Sequence, residues 1–203
     1  MFKDLIEIKS DNHFIVDMMY ASLKNNMTGV AVYEEIGFGN RAFVHPELWE
    51  KLKKTIPYLE ANNLKLKIYD AYRPPLAHKR LKEVISEPGF FASSPEASKH
   101  CHATAVDVCL CRKDGTELKY PTKVDAFDAN YAKQIQSGIS APFFAYLKKA
   151  RHDFMETDDK EALKNRADLL ALMDGVGLES CSFEWWHYEL PNGKDENHPM
   201  IEY

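Results

Sequence analysis

The 203-residue chain lacks the features that mark several specialised protein classes. No segment approaches the roughly 18 consecutive apolar residues of a membrane-spanning helix. Basic residues do not predominate, because 26 Lys and Arg stand against 31 Asp and Glu, for a formal net charge of −5. Nucleic-acid-binding proteins usually present a basic surface, so this balance argues against such a partner. The lack of internal repeats, low-complexity tracts and Gly/Ser linkers predicts one domain over residues 1–203.

Cysteine is also scarce, and the four residues are Cys101, Cys109, Cys111 and Cys181. Four cysteines in a chain of this length do not make a disulfide scaffold, and C-x-C is not the spacing of a zinc ribbon. The N-terminal segment alternates charged and apolar residues and has no signal-peptide core. We therefore predict reduced, mostly buried thiols and a cytoplasmic location; a signal peptide already removed would instead indicate the periplasm.

The remaining composition is that of an ordinary globular protein, with 45% hydrophobic and 28% charged residues. Within it, apolar alternation with a period of two is typical of half-buried strands. This pattern predicts strands over 29–35, 64–72, 104–111 and near 181–190.

Apolar residues at helical spacing predict three helices. One begins near His45-Pro46-Glu47 and is kinked or ended by Pro57, one begins at Pro75, and one covers 159–174 before Gly175 and Gly177. Helices mixed with short, hairpin-type strands favour an α+β fold with a central antiparallel sheet.

Side chains with useful chemistry cluster in three short segments. Zinc in a catalytic site takes three protein ligands and leaves one position for water, and His100, Asp107 and His187 are suitable ligand types. Glu184 is a carboxylate that could accept the proton of that water, and Arg73 is a cation that could stabilise an oxyanion. The segments are Ser98-Lys99-His100-Cys101-His102 with Asp107, Glu184-Trp185-Trp186-His187, and Tyr69-Asp70-Ala71-Tyr72-Arg73-Pro74-Pro75.

The spacing of these residues sets a condition on the backbone. Side chains seven or three residues apart point to opposite faces of an unbroken strand. His100 must therefore lie in the loop before the strand that carries Asp107. Glu184 and His187 need a bulge or a strand end between them. The two intervening tryptophans are predicted to wall the site and to raise the basicity of Glu184 by excluding water.

These segments resemble the zinc D-alanyl-D-alanine dipeptidases, including the vancomycin-resistance type, in the wider group of peptidoglycan D,D-peptidases. The family pattern S-x-H-x-x-G-x-A-x-D corresponds to residues 98–107, a later E-x-W-H to 184–187, and an upstream Y-R-P to 72–74. The family segments N-F-T-G and F-D resemble residues 26–29 and 127–128. The resemblance extends over nearly the whole chain.

The resemblance implies a role for each matched residue of the metal site. His100, Asp107 and His187 would bind one Zn²⁺ per chain. Glu184 would be the general base, and Arg73 would steady the tetrahedral intermediate. His102 is a competing ligand candidate, but the family spacing favours His100.

The resemblance also implies a small zwitterionic partner, the dipeptide D-alanyl-D-alanine. Asp128 would pair with its ammonium, and Ser98 and Tyr20 would be lesser substrate contacts. Ala103 replaces the family glycine, which would introduce strain if that position requires a positive φ. Two alternatives stay open: a D,D-carboxypeptidase or endopeptidase of the same fold, and a zinc-binding module without activity. A role in antibiotic resistance and one in recycling wall dipeptides are equally compatible with the sequence.

Overall fold

A mixed five-stranded sheet organises the protein in the computed structural model, which describes residues 2–24, 26, 28–85, 91–125, 137–138 and 141–202. The strands are β1 Ile6–Ile8, β2 Phe14–Val16, β3 Ala42–Val44, β4 Leu64–Asp70, β5 Ala105–Arg112, β6 Glu179–Ser180 and β7 His187–Glu189. The helices are α1 Val32–Glu35, α2 Pro46–Lys53, α3 Ile56–Ala61, α4 Pro75–Val84, α5 Ala141–Ala150 and α6 Lys160–Gly175. None of these helices is long and apolar enough to cross a membrane.

The strand order in the main sheet is β2-β4-β5-β7-β6, and β1 pairs with β3 in a separate two-stranded sheet. The predicted α+β class is confirmed. The antiparallel prediction holds for β4–β5, β5–β7 and β7–β6 but is wrong for β2–β4, which is parallel. The reason is the connection: α1, β3, α2 and α3 lie between β2 and β4, and a crossover of that length returns the chain in the same direction.

Strands β4 and β5 form the centre of the sheet. Their residues face each other in pairs such as Leu66 with Leu110 and Ile68 with Val108. A register shift between Ile68 and Asp70 then places Asp70 opposite Asp107. Such bulges redirect side chains near active sites.

Two predicted strands differ from the structure. Within 29–35, Val32 and Tyr33 are buried in the short helix α1, because an apolar run this short is compatible with either element. Near 181–190 only His187–Glu189 is a strand. The preceding residues form a turn, in which Trp185 N donates to Ala150 O at 2.9 Å.

The predicted helices are confirmed. His45 caps α2 by accepting a hydrogen bond from Glu47 N. Helix α2 ends at Lys53, and Pro57 occupies the first turn of α3. A proline there loses no hydrogen bond, because first-turn N–H groups have no partner within the helix. Pro75 begins α4, two residues after Arg73.

Candidate active site

Three segments bring the predicted metal ligands together. Asp107 of β5 is the register partner of His187, the first residue of β7. Opposite residues of an antiparallel pair project to the same face, so these two side chains are neighbours. His100 lies in a 3-10 turn, Lys99–His102, just before β5. Both backbone conditions set by the spacing are thus met, since Glu184 precedes the start of β7.

The turn that carries His100 ends on a strained residue. Ala103 has φ 58° and ψ 25°, in the left-handed region, which costs an L-residue about 1–2 kcal/mol. The sequence indicated strain at Ala103 on the condition that this position has a positive φ, and the structure meets that condition. The Ala103 carbonyl accepts a hydrogen bond from His45 N at 2.8 Å, which helps to hold the turn in place.

The ligand atoms of His100, Asp107 and His187 converge within 4.8 Å of one another, and the three residues could hold a metal ion. His100 Nε2 lies 3.2 Å from His187 Nδ1 and 3.4 Å from Asp107 Oδ2. His187 Nδ1 lies 3.0 Å from Asp107 Oδ1. The competing candidate His102 is directed elsewhere, with each ring nitrogen against a backbone carbonyl.

In each of the two imidazoles, one ring nitrogen faces the cluster and the other, the outer nitrogen, points away from it. The hydrogen bonds of the outer nitrogens indicate that this donor set suits a cation. His100 Nδ1 lies 2.8 Å from the Ala71 carbonyl, and His187 Nε2 lies 3.0 Å from Glu189 Oε2. Both oxygens can only accept, so each ring donates its outer N–H. Neutral rings then present two lone pairs inward, toward each other and toward Asp107. Three converging lone-pair donors with outward hydrogen bonds are typical of a zinc site.

The electrostatics favour positive charge at the same point. Burial opposes a charge on His187, but its hydrogen bonds to Asp107 and Glu189 outweigh that effect and raise its pKa. Burial would raise the pKa of Asp107, yet His100 and His187 lower it well below its usual range. The carboxylate is therefore ionised, and either a proton or a metal ion satisfies the cluster.

Glu189 is a functional candidate that the sequence reasoning missed. Its Oε2 accepts the hydrogen bond from His187, and its Oε1 lies 2.8 Å from Lys99 Nζ. The same Lys99 ammonium donates to the Leu190 carbonyl at 2.9 Å. Lys99 directly precedes His100, so the ion pair links the two histidine-bearing segments. Burial opposes ionisation, but His187 and Lys99 lower the pKa of Glu189 to about 2. Alternation along β7 could have placed it, since residues two apart share a face.

Glu184 lies beside the metal-ligand cluster and is not one of its three donors. Its Oε2 lies 4.0 Å from His187 Nδ1, and its side chain faces the cavity. Burial and the charge of Asp107 raise the pKa of Glu184 to about 7. Such a carboxylate is suited to proton transfer near neutral pH.

Arg73 is a fixed guanidinium at the cavity. Its Nε and Nη2 donate to Asp70 Oδ2 at 2.8 and 2.5 Å, and Tyr33 OH donates to Asp70 Oδ1 at 2.5 Å. The Arg73 backbone N–H donates to the His100 carbonyl at 3.1 Å. Although burial disfavours the charge, Asp70 raises the pKa of Arg73. Its Nη1 lies outside the ion pair with Asp70.

Asp125 is the second residue that the sequence reasoning missed. It lines the cavity and is buried, and its Oδ2 accepts from Tyr20 OH at 3.0 Å. Its buried Oδ1 has no hydrogen-bond partner among the described residues. Burial, together with Glu184 and Asp107, raises the pKa of Asp125 far above its usual range. A cationic ligand group would complete its hydrogen bonding.

Of the three predicted substrate contacts, Ser98, Tyr20 and Asp128, the structure describes the first two. Ser98 lines the cavity. Tyr20 is fully buried behind Asp125 and does not line the cavity. Asp128 lies outside the described residues.

The cavity has a volume of about 470 Å³. The tryptophans were predicted to wall it, and this is wrong. Trp185 is buried against Tyr120, with ring centroids 3.9 Å apart, and Trp186 is fully buried. Phe91 and Phe183 form the aromatic part of the wall instead. The four cysteines are free and three are buried, as predicted.

Comparison with known proteins places the chain in a family. The peptidase M15 family, described as D-ala-D-ala dipeptidase, matches residues 2–202. The chain is 28% identical over 186 residues to a D-alanyl-D-alanine dipeptidase of Escherichia coli strain K12, covering 92% of this chain and 82% of the relative. It is also 28% identical over 206 residues to a D-alanyl-D-alanine dipeptidase of Enterococcus faecium, covering 90% and 87%. The protein therefore belongs to the D-ala-D-ala dipeptidase family of peptidases.

Proposed function

We propose that the protein is a zinc dipeptidase that hydrolyses D-alanyl-D-alanine to two D-alanine molecules. One observation carries the proposal: a three-donor cation site, the carboxylate of Glu184 and the guanidinium of Arg73 face the same cavity. Asp125 adds a carboxylate suited to the substrate ammonium. Peptide hydrolysis needs an activated water, a proton acceptor and a stabilised oxyanion, and each has a matching group here.

His100, Asp107 and His187 would hold the zinc ion, which when bound polarises the scissile carbonyl and acidifies the attacking water. Glu184 accepts a proton as the water oxygen attacks the carbonyl carbon. It then delivers that proton to the amine nitrogen as the C–N bond breaks. The Arg73 guanidinium, held by Asp70, faces the negative charge that develops on the carbonyl oxygen.

Substrate recognition follows from the free terminus of a dipeptide. Asp125 Oδ1 pairs with the ammonium, and Tyr20 fixes Asp125 through its hydroxyl. Breaking a buried ion pair by removing one partner costs about 3–5 kcal/mol, so a dipeptide with a blocked amine is a poor substrate. Ser98 contacts the substrate from the cavity wall, and Asp128 stays a predicted contact.

The test is hydrolysis by the zinc-loaded protein of D-Ala-D-Ala, L-Ala-L-Ala, N-acetyl-D-Ala-D-Ala and a muropeptide ending in D-Ala-D-Ala. We expect turnover of the free D,D-dipeptide alone. Cleavage of the two longer substrates with the free dipeptide left intact would identify a D,D-carboxypeptidase or endopeptidase. Bound zinc without turnover of any of the four would identify a non-catalytic zinc-binding module.

A further inference from the structure

A second cluster of metal-ligating side chains lies outside the active site. His45 caps α2, and Glu47 belongs to its first turn. Asp195 and His198 come from the C-terminal segment after β7. The peptidase chemistry uses none of these four residues.

His198 is the centre of this cluster. It is only 5% exposed, although the histidine side chain is polar. Its Nδ1 lies 2.8 Å from Asp195 Oδ1, and its Nε2 lies 3.1 Å from Glu47 Oε2. The His45 and His198 ring centroids are 4.6 Å apart, with the planes inclined by 66°.

The arrangement repeats that of the active-site ligands. There, the ring centroids of His100 and His187 are 5.0 Å apart and the planes are inclined by 71°. In both clusters an oxygen acceptor takes the outer N–H of a buried imidazole, and the inner nitrogen faces a carboxylate. In both, one ligand atom from each of three residues lies within 4.8 Å of the others.

One ligand separation in the cluster can be compared directly with that of a metal site. Zinc bonds to nitrogen and oxygen are about 2.0–2.2 Å long and tetrahedral, which separates two ligand atoms by about 3.3–3.6 Å. The 3.1 Å between His198 Nε2 and Glu47 Oε2 is close to this separation. His45 Nδ1 accepts a hydrogen bond from Glu47 N at 3.2 Å, so this ring binds a metal through that lone pair only when the capping hydrogen bond is given up. Glu47 is half exposed, so an ion can enter from solvent.

We propose that His45, Glu47 and His198 form a second divalent-cation site, with zinc as the fitting ion and Asp195 as the residue that orients His198. The site lies behind the turn that carries His100. The His198 carbonyl accepts from His102 Nδ1 at 2.6 Å, and His45 N donates to the Ala103 carbonyl at 2.8 Å. A bound ion would therefore link α2 to the C-terminal segment, and each of these two segments is hydrogen-bonded to the turn that carries His100.

The experiment is a metal count on the full chain. Metal-free protein is incubated with zinc chloride, passed through metal-free gel filtration and analysed by plasma mass spectrometry. We expect two zinc ions per wild-type chain, and one each for His45→Gln and His198→Gln. His13→Gln, which removes an exposed histidine paired with Glu60, is the matched control and should keep two.

A second arm separates the two sites. In Asp107→Asn, which disables the active-site cluster, zinc should still raise the thermal midpoint. In the double variant Asp107→Asn/His45→Gln it should not. A single zinc ion in the wild type that His45→Gln and His198→Gln both retain, or two zinc ions in those variants, would overturn the proposal and leave His198 as a histidine hydrogen-bonded between two carboxylates. If His198→Gln does not fold, His45→Gln and Glu47→Gln decide the question. Because the readouts are metal content and thermal midpoint, failure here is distinct from failure of the dipeptidase proposal.

Discussion

Replacing Glu189 by glutamine should weaken zinc binding at the active site by about 10- to 100-fold. The carboxylate accepts from His187 Nε2 at 3.0 Å and pairs with Lys99 Nζ at 2.8 Å, so it fixes the ring that offers Nδ1 to the metal. Glutamine keeps the size but removes the charge, and charge-assisted hydrogen bonds are roughly twice as strong as neutral ones. Partners of metal-ligating histidines contribute about 10–100-fold in metal affinity, which corresponds to about 1.4–2.8 kcal/mol.

The assay is competition for zinc between the metal-free protein and a chelating dye. Glu179→Gln is the matched control, because Glu179 is the register partner of Glu189 in β6 and is exposed. We expect the control to bind zinc as the wild type does. At saturating zinc, Glu189→Gln should recover most of its kcat, which a misfolded variant would not. Equal zinc affinity in Glu189→Gln, Glu179→Gln and the wild type would refute an orienting role for Glu189.

Three further predictions concern the reaction and the strained turn. Glu184→Gln should retain zinc and lose about 10²–10⁴-fold in kcat, the usual contribution of general base catalysis; retained turnover would remove Glu184 from the mechanism. Asp125→Asn should raise KM for D-Ala-D-Ala more than Tyr20→Phe does, because Tyr20 acts through Asp125; the reverse order in steady-state kinetics would contradict this. Ala103→Gly should change the free energy of unfolding by less than about 1 kcal/mol, because relief of about 1–2 kcal/mol of strain is offset by unfolded-state entropy and a lost buried methyl. Denaturant titration measures it, and a loss above about 2 kcal/mol would show that the methyl packing dominates.

The ligand-bearing segments were predictable because their constraints are local. His100 and Asp107 are seven positions apart, so an unbroken strand cannot keep both side chains on one face, and this predicts a turn before β5. The same argument fixes the start of β7 after Glu184. The spacing of these residues in the sequence therefore predicts where the turns before β5 and β7 lie.

Other features depend on contacts between distant segments. The parallel pairing of β2 with β4 follows the path of three helices and a strand, which no single window of sequence contains. The cavity carboxylate at Asp125 depends on a loop conformation with φ 34° and on Tyr20, more than 100 residues earlier in the chain. Asp128, which the F-D pair predicts, lies outside the described residues and stays a prediction.

Two cations that line the cavity, Arg73 and Lys99, each have an acidic partner. Arg73 is matched by Asp70, and Lys99 is matched by Glu189. These pairs are buried or half-buried and hold the positions of the guanidinium and of the second histidine. They contribute little net charge, so they do not determine what the cavity attracts.

Three carboxylates, Asp107, Glu184 and Asp125, have no lysine or arginine ion pair within the described part of the chain. Burial, reinforced by repulsion from the neighbouring carboxylates, raises the pKa values of Glu184 and Asp125. A divalent ion beside Asp107 and Glu184 and a substrate ammonium beside Asp125 together supply three positive charges. Under the proposed function, zinc and a free amine should therefore each strengthen the binding of the other. A peptide with a blocked amine would leave the Asp125 carboxylate unmatched, so the proposed function predicts that dipeptides bind better than longer peptidoglycan stems.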